Sequence, residues 1–273
     1  MTAQQIAFIG GGNMGRALVA GLIAHGTPPA GLAVSDPSEA VRKALAADFG
    51  VRTGNDNNAL AATADIIVLA VKPQGMAGVI TALAPMLAQR RPLLISIAAG
   101  VRTAALASWS GARLPIVRAM PNRPALVGAG ITGLFATPDT PPEARKRAEA
   151  VMGAVGELVW VQTEDDLDVV TAVSGSGPAY FFLLAEQLAH SAVRRGLDPH
   201  VARRLAVATL SGAGRLAADS DGDLARLRAE VTSKGGTTEA ALNAFSAAGF
   251  DGIVAAAVDA AVLRGRELSE SST

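Results

Sequence analysis

The segment that most constrains the fold of this chain is a glycine-rich turn near its start, IAFIGGGNMGRALVAGL. Gly10, Gly12 and Gly15 stand in a G-x-G-x-x-G frame between an apolar run and a helical pattern. Such glycines allow a tight turn, a close approach of the backbone to a pyrophosphate, and close packing of helix on sheet. The helix N-terminus then offers free N–H groups to phosphates. We therefore predict a dinucleotide-binding site rather than a purely structural turn.

Apolar runs and helical stretches alternate through the first half of the chain. The predicted strands cover residues 5–10, 32–36, 65–71, 93–98, 116–119, 131–135 and 158–161. Nearly continuous runs of β-branched residues and Leu are typical of a parallel sheet covered on both faces. Short strand–helix links favour right-handed crossovers. We expect an α/β fold, with a Rossmann-type doubly wound sheet over residues 1–162.

Strand signals stop after Gln162, and helical patterns follow. Helices are predicted from Pro178 to Arg195, from Asp198 onward, and through the last apolar stretch, where i, i+3, i+4, i+7 spacing holds for three turns. We expect an all-α domain over residues 163–273. Its richness in Ala and Gly indicates tight internal packing or a helical dimer interface, and the two are compatible.

The composition excludes several classes of function. Lys and Arg number 24, Asp and Glu also 24, and no basic block is present, so we expect no nucleic-acid binding. The chain has 0 cysteines, which excludes disulfides and cysteine–zinc sites, and we expect no metal. The N-terminus does not resemble a signal peptide, and no apolar run approaches the roughly 18 residues of a membrane span. We expect a soluble, cytoplasmic protein.

The end of the second predicted strand bears on the choice between NADP(H) and NAD(H). An acid such as Asp36 usually binds the ribose 2′-hydroxyl of NAD(H) and would repel the 2′-phosphate of NADP(H). However, Asp36 precedes Pro37 and can instead cap a helix, and Arg42 can still reach a phosphate. Either cofactor is compatible with the sequence.

Other strand ends should border the same cofactor, because ligands of open α/β sheets bind at the carboxyl ends of the strands. The segments AVKPQ and SIAAGV lie there, and Asn122 follows a later strand, where it either approaches the nicotinamide or stabilises a turn. The predicted cofactor-binding residues are Gly10, Gly12, Asn13, Met14, Gly15, Ser35, Asp36, Asn57, Ala70, Val71, Lys72, Pro73, Ala98, Ala99, Gly100 and Asn122.

The histidines do not suggest alcohol oxidation. His25, His190 and His200 lie at a helix end or on polar helix faces, and we interpret them as surface residues. A dehydrogenase acting on an alcohol usually needs a His or Lys for the hydroxyl proton. A cyclic imine is basic enough to need only a hydroxyl donor near its nitrogen, so the sequence favours an imine substrate.

The segment EVTSKGGTTEAALNAF provides a candidate site for the acid group of such a substrate. Gly235 and Gly236 precede Thr237 and Thr238 at a helix start. This arrangement suits a backbone site for a carboxylate or phosphate. From these residues alone, a simple helix cap is an equally good interpretation.

Six segments together resemble the pyrroline-5-carboxylate reductase family. They are FIGGGNMGRAL, AVKPQ, SIAAGV, RAMPNRPA, AVSGSGPAYFFLLAEQLAHSAVRRGL and LRAEVTSKGGTTEAAL, in the same order from about Gln5 to Leu268. The resemblance implies NAD(P)H-dependent reduction of 1-pyrroline-5-carboxylate to L-proline, the last step of proline biosynthesis, by hydride transfer to C5 of the ring. It also implies a homodimer through interleaved C-terminal helices, with decamers as a common higher assembly.

The resemblance further implies individual roles. Thr238 should hydrogen-bond the ring nitrogen and act as the catalytic proton donor, and the segment 174–180 should help to shape the pocket. The implied substrate-binding residues are Val231, Ser233, Gly235, Gly236, Thr237 and Thr238. Two residues depart from the family pattern, Lys234 in place of proline and Arg123 in place of threonine, and neither change removes an assigned role.

Two other functions are possible for a chain with this domain organisation. The 3-hydroxyisobutyrate and 6-phosphogluconate dehydrogenases place a catalytic lysine after a G-x-x-G-x-G segment, whereas SGSGPAYFFLLAEQ contains none. A non-catalytic dinucleotide sensor would have no need of the loop around Ser233 and Thr238. Both are therefore disfavoured.

Overall fold

The computed structural model describes residues 4–270, which divide into two compact units. One unit holds the chain up to Gly175 together with the end of the last helix from Ala261. The other consists of Ser176–Ala260. This division follows spatial contact, whereas the predicted domain boundary at residue 162 follows the end of the strand signals.

The first unit is built on an eight-stranded sheet in the order β3-β2-β1-β4-β5-β6-β7-β8. The strands are β1 Ile6–Ile9, β2 Leu32–Ser35, β3 Arg52–Gly54, β4 Ile66–Leu69, β5 Leu93–Ser96, β6 Ile116–Met120, β7 Gly130–Ala136 and β8 Gly156–Trp160. All neighbouring pairs are parallel except β6 and β7, which are antiparallel. The predicted α/β fold with a parallel-dominated sheet is confirmed.

Helices cover both faces of this sheet. They are α1 Asn13–Ala24, α2 Glu39–Phe49, α3 Asn57–Ala61, α4 Pro73–Arg90, α5 Thr103–Ser110, α6 Pro142–Met152 and α7 Asp166–Val170. Ile6 and Phe8 of β1 belong to one buried cluster with residues of α1, α2 and α6. Ala7 and Ile9 belong to the opposite cluster, with residues of α3, α4 and α5. Alternate residues of β1 therefore pack into two hydrophobic cores, one on each face of the sheet, which explains why every position of the strand is apolar.

Two features of the sheet differ from the prediction, which had no strand at β3 and no antiparallel pair. The polar Arg52–Gly54 forms a three-residue strand at the sheet edge, too short and too exposed to produce an apolar run. Strands β6 and β7 are joined by a short 3-10 turn at Arg123–Val127. A parallel crossover needs a dozen or more residues, so β7 returns antiparallel.

The described residues of the second unit are helical wherever they are regular. The remaining helices of the chain are α8 Gly177–Val193, α9 Pro199–Ala218, α10 Leu224–Glu230, α11 Thr237–Ala247 and α12 Phe250–Glu270. The carboxylate of Asp198 accepts the N–H groups of His200 and Val201 and so caps α9. Gly196, with φ of 91°, lies between α8 and α9, and this left-handed conformation suits the end of a helix.

Much of the apolar surface of these helices is exposed in the single chain. The exposed side chains include Phe181, Phe182, Leu183, Leu205, Val207 and Ile253. By length and composition, the helical stretch Asp166–Val193 could cross a membrane, with a mean hydropathy of 1.3. Polar residues interrupt this stretch, so the sequence alone did not predict a membrane-spanning length there. Exposed patches of this extent mark interaction surfaces.

Candidate active site

The glycine turn forms one corner of the candidate cofactor site. Gly10 follows β1 with φ of 107°, and its N–H donates to the carbonyl of Ser35 at 2.7 Å. A Cβ on Gly10 would lie 2.5 Å from the carbonyl oxygen of Ala70. A Cβ on Gly15 would lie 2.5 Å from the carbonyl oxygen of Gly10. These close approaches require glycine at both positions, and they bring the ends of β2 and β4 against the turn.

The N-terminus of α1 has the features that a dinucleotide needs. Gly12 is its N-cap, and among residues 4–270 no side chain caps this end. A Cβ on Gly12 would meet nothing described within 4 Å. Without such a cap, the first-turn N–H groups can donate to a pyrophosphate, and the space beside Gly12 leaves room for it. Nearby, Ser35 is buried with a hydroxyl that has no hydrogen-bond partner among the described residues.

Asp36, directly after β2, is held by three other segments. Its main-chain N–H donates to the carbonyl of Gly54 in β3 at 3.0 Å. Its Oδ2 accepts the N–H of Gly11 at 2.8 Å, and its Oδ1 accepts the N–H of Ser38 at 2.8 Å. Arg42 donates to the carbonyl of Asp36 at 2.7 Å. The carboxylate is thus fixed beside the glycine turn.

The neighbouring strands carry the other predicted cofactor segments. Because β1, β4 and β5 are adjacent and parallel, residues 10–15, 70–73 and 98–100 share one edge of the sheet. Lys72 is exposed and precedes α4, which begins with Pro73. Gly100 has φ of 75°, and a Cβ there would lie 3.2 Å from the backbone of Leu268 in α12. The direction in which successive strands are added to the sheet reverses between β1 and β4, and ligands of such sheets usually bind in the crevice at this point.

A charge cluster that the sequence analysis missed lies behind the loop after β5. Glu164 accepts the main-chain N–H of Thr103 at 2.7 Å and its hydroxyl at 3.0 Å, and so caps α5. The guanidinium of Arg118, in β6, donates to the same carboxylate at 2.9 Å. Arg118 is buried, so Glu164 is its neutralising partner. Glu164 joins α5, β6 and the segment before α7.

A second part of the cluster surrounds Arg102. Its guanidinium hydrogen-bonds Asp165 and lies 3.4 Å from Asp168. The hydrogen bond from Arg102 holds the pKa of Asp165 below its usual value. The pKa of Asp168 is raised, because burial of its carboxyl outweighs the attraction of Arg102. A contact as long as 3.4 Å is a weak one, which agrees with that direction.

The side chain of Asn122 is engaged within the protein. Its Oδ1 accepts the N–H of Ile131 at 3.0 Å, and its Nδ2 donates to the carbonyl of Ser174 at 3.2 Å. The residue is buried. Its amide therefore ties the end of β6 to β7 and to the segment 171–175, which supports a role in stabilising the turn.

The predicted substrate loop lies in the second unit, between α10 and α11. Gly236 is the N-cap of α11, and no side chain among the described residues caps this end. The N–H of Gly236 donates to the carbonyl of Ser233 at 3.0 Å. The hydroxyl of Ser233 lies against Gly236, within 2.5 Å of where a Cβ would stand. Thr237 and Thr238 open the helix, so their N–H groups are available to an anion.

Glu239 is a further residue of this loop that the sequence analysis did not single out. Its Oε2 accepts the N–H of Gly235 at 2.7 Å, and Gly235 has φ of 72°. The signal for it is the acid at the third position of α11, where a side chain can reach back over the helix end. Glu239 therefore stabilises the turn that presents Thr237 and Thr238. Lys234, within this turn, is exposed.

Comparison with known proteins identifies the family to which a chain with these two candidate sites belongs. The profile for pyrroline-5-carboxylate reductase dimerisation matches residues 164–268, and one described as NADP oxidoreductase, coenzyme F420-dependent, matches residues 5–100. A pyrroline-5-carboxylate reductase of Pseudomonas aeruginosa is 44% identical over 99% of this chain and 98% of its own length. This chain belongs to the pyrroline-5-carboxylate reductase family.

Solved structures of the family agree with this membership. The pyrroline-5-carboxylate reductase of Coxiella burnetii has a TM-score of 0.94 at 41% identity, covering 98% of this chain and 99% of its own. The Plasmodium falciparum pyrroline carboxylate reductase with NADP bound has a TM-score of 0.84 at 30% identity, covering 98% of this chain and 99% of its own.

Membership in the pyrroline-5-carboxylate reductase family confirms several expectations. The chain has a Rossmann-type domain and a helical dimerisation domain, and it is an oxidoreductase that uses NAD(P)H on a carbon–nitrogen double bond. The match to a dimerisation region accounts for the exposed apolar faces between residues 164 and 268. The three histidines are exposed in the single chain, as the sequence indicated.

Proposed function

We propose that this protein reduces 1-pyrroline-5-carboxylate to L-proline, the last step of proline biosynthesis, and that the residues predicted above bind its cofactor and its substrate. The observation that carries this assignment is the loop 231–238, which joins a helix start that no described side chain caps to the hydroxyls of Ser233 and Thr238. A carboxylate and a ring nitrogen are the two groups that such a loop can hold.

The cofactor half consists of the carboxyl edge of the sheet. The start of α1 binds the pyrophosphate through the N–H groups of Asn13, Met14 and Gly15. Ser35 and Asp36 face the adenosine ribose, with Asn57 at the start of α3 beside them. The segments 70–73 and 98–100 line the nicotinamide side, and Asn122 holds the adjoining turn in place. Bound NAD(P)H supplies the hydride that C5 of the substrate ring receives.

The substrate half is the loop before α11. The N–H group of Thr237 and the hydroxyl of Ser233 bind the substrate carboxylate, with the dipole of an 11-residue helix behind them. The N–H of Gly236 is already bonded to Ser233, so its use requires the turn to relax. Thr238 donates its hydroxyl hydrogen to the ring nitrogen. Positioning and electrostatic complementarity supply most of the rate enhancement.

The assembly and location follow from the same assignment. The exposed apolar helices of residues 163–273 form a homodimer, and dimers assemble further, with a decamer as the proposed state. The boundary at residue 162 separates the cofactor domain from this region. We further propose that the protein acts in the cytoplasm, where reduced nicotinamide cofactor is available to it.

A spectrophotometric assay tests this function. Purified protein receives pyrroline-5-carboxylate with NADH or NADPH, and the loss of nicotinamide absorbance is followed. Thr238→Ala should lower kcat by about 10²- to 10⁴-fold, the usual effect of losing a proton donor, with an unchanged cofactor Kd. The matched control is Thr232→Ala, because the Thr232 hydroxyl donates to the carbonyl of Arg228 within α10. If Thr238→Ala and wild type have equal kcat, Thr238 is not the proton donor. If the wild-type protein binds cofactor but does not turn over the substrate, a non-catalytic dinucleotide sensor is favoured instead.

A further inference from the structure

The family uses NAD(P)H, and in dinucleotide-binding sheets the residues at the end of the second strand commonly discriminate between NAD(H) and NADP(H). We propose that Asp36 makes this protein an NADH-preferring reductase by binding the adenosine ribose hydroxyls and excluding the 2′-phosphate of NADPH. This inference rests on the cofactor site proposed above.

The first support is the position of the Asp36 carboxylate. Its Oδ2 lies 2.8 Å from the N–H of Gly11, within the glycine turn itself. The pyrophosphate belongs at the next residues, where α1 begins. The adenosine ribose is covalently attached to that pyrophosphate, and the end of β2 is where such sheets bind it. The carboxylate therefore stands where the 2′-hydroxyl arrives.

The second support is that this carboxylate is fixed before any cofactor binds. The N–H groups of Gly11 and Ser38 each occupy one carboxylate oxygen at 2.8 Å, and the main-chain N–H of Asp36 is bonded to Gly54. A carboxylate has about four acceptor positions, so the two oxygens can still accept ribose hydroxyls. Rotating the Asp36 carboxylate away from a 2′-phosphate would break the hydrogen bonds from both N–H groups. Moving the negative charge out of the way is therefore energetically unfavourable.

The third support concerns Arg42, the cation best placed to attract a 2′-phosphate. Its Nη1 donates to the carbonyl of Asp36 at 2.7 Å and to that of Pro37 at 2.9 Å. The guanidinium thus braces the turn that carries Asp36 instead of neutralising the carboxylate. A 2′-phosphate would meet the aspartate charge first. In an Asp36→Ser protein, the same guanidinium becomes the phosphate's nearest attractive charge.

Cofactor binding without substrate tests the proposal. Titrations of NADH and NADPH, followed by nicotinamide fluorescence, are compared for wild type, Asp36→Ser and Asp36→Ser/Arg42→Ala. Wild type should bind NADH about ten- to hundredfold more tightly, the worth of hydrogen bonds to a charged group. Asp36→Ser should abolish or reverse this ratio through weaker NADH and stronger NADPH binding. The double variant should lose the NADPH gain.

Two further variants serve as controls for this experiment. Asp139→Ser removes an exposed aspartate paired with Arg113 and should leave both dissociation constants unchanged. Asp36→Asn keeps an acceptor oxygen for the Gly11 N–H if Asp36→Ser unfolds, and it should also lower the NADH-to-NADPH ratio. Equal or tighter NADPH binding by wild type overturns the preference, as does an equal change for both cofactors in Asp36→Ser. If neither cofactor binds to wild type, the cofactor site itself is wrong, whatever the preference.

Discussion

Replacing Glu164 by alanine should destabilise the first unit far more than replacing its neighbour Asp165. The Glu164 carboxylate accepts from both polar groups of Thr103 and from Arg118. The side chain of Arg118 is only 5% exposed and that of Glu164 16%. Removing one partner of a buried pair costs about 3–5 kcal/mol, because the other charge stays buried and uncompensated. Since Glu164 retains some exposure, we expect the lower end, about 3 kcal/mol.

The assay is thermal unfolding followed by circular dichroism. For a domain of this size, 1 kcal/mol corresponds to about 2–4 °C, so Glu164→Ala should lower Tm by about 6–12 °C. Asp165→Ala is the matched control, since it removes the same charge from the next residue. Its side chain is 68% exposed, and an exposed ion pair contributes about 0–1 kcal/mol, or at most about 4 °C.

Glu164→Gln separates the charge of Glu164 from its role as an acceptor. The amide oxygen can still cap α5 through Thr103, but it leaves Arg118 without a counter-charge, so the Tm should fall between those of wild type and Glu164→Ala. Equal, small Tm losses for Glu164→Ala and Asp165→Ala would refute the reasoning. That result would mean that water reaches Arg118 and replaces the carboxylate.

Three other predictions concern single positions, each with its own measurement. A Cβ at Gly15 would meet the carbonyl of Gly10, whereas one at Gly12 would meet open space. Gly15→Ala should therefore destabilise the protein by about 1–3 kcal/mol through overpacking and lower its Tm. Gly12→Ala should keep the wild-type Tm and weaken NADH binding. Gly236→Val would place its Cβ 2.5 Å from the Ser233 hydroxyl, and steady-state kinetics should show a higher KM for pyrroline-5-carboxylate with an unchanged cofactor Kd. Burial raises the pKa of Asp168, so its contribution to stability is fully present below the unfolded pKa and is lost as pH rises through the folded pKa. Asp168→Asn should therefore gain stability relative to wild type as the pH rises above the unfolded pKa of about 4, as urea unfolding at several pH values will show, and a constant difference would contradict the raised pKa.

The sequence predicts those parts of the fold that depend on local apolar runs. Strands β1, β4 and β5 are four-residue runs buried on both faces, and each was predicted to within a few residues. Strand β3 was missed because Arg52–Gly54 has little apolar surface and owes its conformation to pairing with β2. A strand defined by its neighbour leaves no periodic pattern in its own sequence.

The same distinction separates the predicted site residues from the missed ones. The glycine turn is a contiguous motif, and its function depends on backbone geometry that the spacing reveals. Glu164 acts through Thr103 and Arg118, which are 61 and 46 residues away along the chain. Within its own segment Glu164 is one of three consecutive acids, and only the exposures separate it from Asp165. No local pattern distinguishes a buried counter-ion from a solvated one.

Asp36 shows how two interpretations of one residue combine in three dimensions. From the sequence, the carboxylate was a ribose ligand or a helix cap. In the structure the N-cap of α2 is Ser38, whose hydroxyl accepts the N–H of Val41 at 3.4 Å, and Asp36 instead accepts the N–H of Ser38. This local turn contact and the contact with Gly11 use one acceptor position on each oxygen. The hydrogen bonds that give Asp36 a structural role thus also orient its remaining acceptors, because a carboxylate that is already immobilised loses little entropy when ribose hydroxyls bind it.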